Sequence, residues 1–126
     1  MSTLTCGHVG WFDLTVPDAE SLRVFYQQVV GWNADAVEMD GYNDYCMKPP
    51  GAEVPVAGIC HARGSNAALP AQWLLYITVA DLDESLRACE TAGGKVLSPP
   101  RAAGTGRFAV IRDPAGAVCA LYQAAA

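Results

Sequence analysis

One carboxylate interrupts an apolar strand pattern near the start of the chain, Trp11-Phe12-Asp13-Leu14-Thr15-Val16. Alternation puts Trp11, Asp13 and Thr15 on one face and Phe12, Leu14 and Val16 on the other. Facing a cavity, Asp13 can anchor a cationic or hydroxylated ligand, or serve as a general base. An ion pair with an arginine such as Arg107, or exposure at the rim of the cavity, accounts for it equally well. Arg107 follows the flexible Gly104-Thr105-Gly106 stretch. There it can bind an anionic group or lie solvated at the surface. Tyr42 and Tyr45 share one strand pattern, which does not decide which of them faces inward; Tyr45 is counted with the ligand candidates. His8 and His61 are isolated, which suits structural roles. The five cysteines, Cys6, Cys46, Cys60, Cys89 and Cys119, form no C-x-x-C or C-x-x-H pair. They read as small buried hydrophobes in a reducing compartment rather than disulfides or zinc ligands. No G-x-S-x-G, P-loop or dinucleotide-binding glycine motif is present.

These residues belong to a chain that repeats itself. Leu14-Thr15-Val16-Pro17-Asp18, followed by Ser21-Leu22-Arg23, returns as Ile77-Thr78-Val79-Ala80-Asp81, followed by Ser85-Leu86-Arg87. Each copy is a strand, an Asp suited to cap a helix, and a helical pattern. Gly31 and Gly93-Gly94 end the two helices. Further strands are expected over 32–39, 42–48 and 54–60 in the first half, and over 95–98, 107–113 and 117–123 in the second. Residues 99–106, rich in Pro and Gly, read as a mobile loop, and Asp113-Pro114-Ala115-Gly116 as a tight turn. Each half is therefore βαβββ. The expectation is an α+β fold in a single domain over 1–126. Its two pseudo-symmetric modules, about 8–62 and 72–123, form a cupped, eight-stranded mixed sheet. One helix covers one face of each half-sheet, so the other faces should close around a cavity.

Composition narrows the partners. The chain has 126 residues, eight Lys and Arg against thirteen Asp and Glu, and a net charge of −5. No basic stripe appears, which argues against nucleic acid and anionic membrane surfaces. No apolar run approaches the roughly 20 residues that span a bilayer. The N-terminus lacks a basic start followed by an apolar region, so cytoplasmic residence is the expectation.

The βαβββ repeat, Phe25-Tyr26 with Gly31-Trp32 at the end of the first helix, and Arg112-Asp113-Pro114-Ala115-Gly116 before the last strand resemble the vicinal-oxygen-chelate superfamily. That group includes glyoxalase I, bleomycin-resistance proteins, fosfomycin-resistance enzymes and extradiol dioxygenases. The resemblance implies a cup for a small molecule and, in metal-dependent members, ligands at four strand positions. Those positions correspond here to Trp11, Gly58, Leu74 and Ala120. None has a metal-ligating side chain, so no metal and no cofactor is expected. The resemblance then points to the metal-free branch, whose members bind drugs or metabolites. It implies a pocket drawn from Trp11, Asp13, Tyr45, Gly58, Leu74, Tyr76, Arg107, Ala120 and Tyr122. It also implies a homodimer. A metal-free lyase, isomerase or cyclase using Asp13 as its base is the alternative, and a metal-dependent glyoxalase or dioxygenase ranks below both.

Overall fold

Asp18 opens the first helix, α1 (Ala19–Val30): its Oδ1 accepts from Ser21 N at 3.1 Å and its Oδ2 from Ser21 Oγ at 2.7 Å. Those bonds satisfy a donor that the helix itself leaves orphaned. Gly31 closes α1 in the left-handed region at φ 83, where glycine carries no Cβ penalty. Asp81 repeats the start for α2 (Leu82–Thr91), accepting from Glu84 N at 3.1 Å. The structure, a computed structural model, describes residues 6–125. Its strands are β1 (Val9–Val16), β2 (Asn33–Glu38), β3 (Asn43–Lys48), β4 (Ala57–His61), β5 (Trp73–Thr78), β6 (Lys95–Ala103), β7 (Gly106–Arg112) and β8 (Val118–Gln123).

The result is an α+β fold with an eight-stranded mixed sheet, and the chain divides into two compact units. One spans Trp11–Trp73, with strand order β2-β3-β4-β1. The other begins at Leu74, with strand order β5-β8-β7-β6, and takes in residues 6–10. In that second unit Gly7 N donates to Thr78 O at 2.7 Å, and Thr78 N to His8 O at 2.8 Å. The repeat is visible in the registers. β1 runs parallel to β4 with Asp13 opposite Gly58, and β5 runs parallel to β8 with Tyr76 opposite Ala120.

In the first unit, the side chains of Leu14, Val16, Tyr45, Met47 and Ile59 pack with Ala19, Leu22 and Tyr26 of α1. In the second, Leu121 and Ala109 pack with Leu82 and Leu86 of α2. These cores define a helix-covered face and an opposite face for each unit.

Two expectations are corrected. β2 and β6 each pair along one edge only, so the sheet is open rather than closed. Residues 99–103 are not loop, because β6 continues through Pro99-Pro100 to Ala103. Proline removes a ladder donor, which an edge strand tolerates. The register shifts between Val96 and Ser98, and between Ser98 and Arg101, absorb the irregularity.

Candidate functional site

In the Trp11–Trp73 unit, the face opposite α1 carries Asp13 at its centre. Trp11 Nε1 donates to Asp13 Oδ1 at 2.8 Å, and Cys60 Sγ donates to Oδ2 at 3.7 Å. Across the ladder, Gly58 lies opposite Asp13 on one side and opposite Cys46 on the other. A Cβ on Gly58 would stand 2.2 Å from Asp13 Oδ1 and 3.4 Å from Trp11 Cζ2. The missing side chain at 58 is thus the space that the carboxylate occupies. Burial pushes the Cys60 thiol up, and the negative charges of Asp13 and Asp44 push it further. The thiolate is suppressed there, so Cys60 serves as a donor to Asp13 rather than as a nucleophile. Sequence reasoning missed this role for Cys60; strand alternation with Gly58 was the signal.

In the second unit, the face opposite α2 carries Leu74 and Ala120, both fully buried, together with Tyr76 and Tyr122. The Tyr76 and Phe108 rings lie 5.7 Å apart, and the Arg101 guanidinium lies over Phe108, 4.8 Å from its centroid. Neither Phe108 nor Arg101 was among the expected site residues.

Two expected ligand residues lie elsewhere. Tyr45 is buried on the helix-covered face, where its hydroxyl donates to Glu20 Oε1 at 2.6 Å. Its ladder partner is Ile59, and a strand residue shares the face of the residue directly opposite. Arg107 turns towards α2 and its Nη2 donates to Asp83 Oδ2 at 3.3 Å. It alternates with Phe108, so the two side chains leave β7 on opposite faces.

The Tyr45–Glu20 contact carries a pH prediction. The Tyr45 hydroxyl, followed by Arg23, holds the Glu20 carboxyl below the usual glutamate range. A depressed folded-state pKa supplies stability that is present above the unfolded value and is lost as pH falls through the folded one. Tyr45→Phe should therefore lower the urea midpoint near pH 7, and its gap from the wild type should narrow by about pH 3. A gap that persists undiminished in acid would assign the loss to packing instead.

The four positions that bear metal ligands in the superfamily do not fit a metal. Gly58 has no side chain, Leu74 and Ala120 are hydrocarbon, and the Trp11 indole nitrogen is a donor only, already engaged by Asp13. Among the described residues, no three His, Cys, Asp or Glu side chains group to hold an ion. Also among them, no helix is long and apolar enough to cross a membrane. An open apolar depression of about 310 Å³ lies in the first unit, lined by Phe12, Trp32, Val56, Ala57 and Trp73. Phe12 alternates with Trp11 and Asp13, so the depression is separate from the Asp13 face.

The Glyoxalase/Bleomycin resistance protein/Dioxygenase superfamily model matches residues 7–121. The anthracycline biosynthesis protein DnrV of Streptomyces peucetius is 31% identical over 135 residues, covering 98% of this chain and 49% of DnrV. CFP32 of Mycobacterium tuberculosis, provisionally named a glyoxylase, is 32% identical over 120 residues, covering 94% of this chain and 46% of CFP32. The chain thus spans about half the length of these curated relatives. Among solved structures, methylmalonyl-CoA epimerase from Mycobacterium tuberculosis superposes with a TM-score of 0.61 at 18% identity, covering 100% of this chain and 93% of the epimerase. At that identity the likeness is one of fold.

Proposed function

The chain belongs to the Glyoxalase/Bleomycin resistance protein/Dioxygenase superfamily, and from that premise we propose that it binds a planar, partly apolar aromatic molecule without a metal. The observation that carries this reading is the Asp13 carboxylate lying in the space that a side chain at position 58 would need. The faces opposite the two helices are otherwise built of aromatic and aliphatic groups around a few polar ones, the usual make-up of a small-molecule site. Each unit offers such a face by itself, with Trp11, Asp13 and Gly58 on the first and Tyr76 and Tyr122, beside the buried Leu74 and Ala120, on the second. DnrV is named for anthracycline biosynthesis, so polycyclic aromatic quinones are the first ligands to try. The same reading takes the protein to be a cytoplasmic homodimer.

A second reading follows from Asp13 itself. A carboxylate oriented by an indole N–H and a thiol is positioned as a base for a metal-free lyase, isomerase or cyclase.

The test is a thermal-shift and tryptophan-emission titration with an anthracycline and a panel of aromatic metabolites, on protein whose metal content has been measured. Saturating ligand at about a hundredfold over Kd should add roughly 2.7 kcal/mol to stability, with or without chelator. Stoichiometric divalent metal whose removal abolishes binding would sink the metal-free reading. If Asp13→Asn keeps binding but loses product formation, the second reading stands in place of simple sequestration.

A further inference from the structure

The helix-covered face of the Trp11–Trp73 unit is not covered along its whole length. On β1, Val16 and Leu14 are 6% and 5% exposed, but Phe12, two residues earlier on the same face, is 40% exposed. Val56, just before β4, is 42% exposed. Both line the depression of about 310 Å³, together with Trp32, Ala57 and Trp73. The Tyr26 ring lies 5.8 Å from Trp32 and 5.3 Å from Trp73, and the two indoles stand 6.0 Å apart at 80° to one another. Trp73 Nε1 donates to Tyr26 Oη at 3.1 Å, so this indole's polar atom is satisfied within the protein. The ring-to-ring contacts hold the walls in place with nothing bound. No lining residue carries a charge.

We infer that this depression is a second binding site, separate from the Asp13 face, for a small neutral molecule of one or two apolar rings. Its volume lies at the lower end of the roughly 300–1,000 Å³ of small-molecule pockets. Water in a hydrocarbon-lined hollow finds few polar partners and is readily displaced. An ionised ligand would lose its hydration there and gain no counter-charge, so the site favours a neutral one. The rings are already ordered, so binding costs little side-chain freedom. Five lining side chains suit one small molecule. They fall far short of the roughly 20–30 residues that each partner brings to a stable protein interface.

Two fluorescent probes that differ by one charge test the inference: N-phenylnaphthylamine, which is neutral, and anilinonaphthalene sulfonate. The wild type should bind the neutral probe about tenfold more tightly than the sulfonate. Val56→Asp sets a carboxylate in the lining and should weaken the neutral probe by about tenfold or more. Val56→Trp fills the hollow without adding charge and should do the same, which keeps the test open if the aspartate variant does not fold. Val54, 73% exposed and outside the lining, supplies the control. Val54→Asp adds the same charge two residues away and should leave the Kd within about twofold. Binding of the neutral probe that survives in both folded Val56 variants overturns the inference, because the probe then sits elsewhere, the Asp13 face included. So does a wild type that prefers the sulfonate or binds neither probe. Sedimentation of the same proteins reads the competing occupant: a dimer that Val56→Asp splits, with no probe uptake by the wild type, gives the hollow to a second copy of the chain and overturns the small-molecule site.

Discussion

Gly58→Ala is expected to lower stability by about 2 kcal/mol, roughly 6–10 °C in Tm for a chain of this length. Glycine is not required there for its backbone, since Gly58 is not among the residues of positive φ. The loss is steric. The new methyl carbon would meet Asp13 Oδ1 at 2.2 Å, far inside van der Waals contact. The carboxylate can retreat only by giving up the 2.8 Å bond from Trp11 Nε1 and its contact with Cys60 Sγ. It would leave a part-buried indole donor unpaired, at a cost of roughly 1–3 kcal/mol. Asp13→Ala in the same chain removes the obstacle. The double variant should therefore be more stable than the sum of the single losses by at least about 1 kcal/mol, measured by urea titration of all four proteins. Strict additivity would mean that the carboxylate and position 58 do not compete for space. The observation on which the proposed function rests would then be lost.

The pairing behind that prediction was largely legible in the sequence. The repeated Asp18 and Asp81 fix where the two opening strands end, and alternation then orients Asp13 and Tyr76. Matching Gly58 with Ala120 by repeat gives the partners that the ladders display. Tyr45 and Arg107 were not legible, for a common reason. A strand's side chains swap faces with a slip of one residue, so a face is only as well known as its register. β3 reads Asn43-Asp44-Tyr45-Cys46-Met47-Lys48, in which both alternations include apolar residues, and only the Ile59 partner settles Tyr45. For Arg107, the Gly104-Thr105-Gly106 stretch before it carries no information on its face, which its alternation with Phe108 sets once β7 is placed. Arg101 was hidden by Pro99-Pro100, which looks like a loop unless β6 is known to be an edge strand. Proline marks an edge strand as well as a loop, so the pair by itself does not decide between them.

Gly106→Ala should be the more damaging glycine substitution, costing about 3 kcal/mol or more. Its added carbon would stand 2.4 Å from Gln123 O, 2.5 Å from Tyr122 Oη and 2.7 Å from Tyr122 Cζ. The tyrosine can swing aside, but the carbonyl belongs to β8 and is fixed by the Arg107–Gln123 ladder pairing. Relief therefore means parting β7 from β8 at this end. The same Gln123 side chain accepts from Leu82 N at 2.7 Å, so the strain would reach the first turn of α2, where Leu82 is fully buried. Gly104 supplies the comparison. Its φ of +60 favours glycine, yet a Cβ there meets nothing within 4 Å. Gly104→Ala should cost only the left-handed penalty, about 1–2 kcal/mol. Adding Tyr122→Phe to Gly106→Ala should recover a small part of the loss, because the backbone oxygen stays where it is. Ligand binding should weaken in Gly106→Ala even at temperatures where it remains folded, since Tyr122 is displaced on the aromatic face. Denaturant midpoints that put Gly106→Ala at or above Gly104→Ala would show that the β7–β8 end yields freely. In that case Tyr122 is not held in place by the ladder.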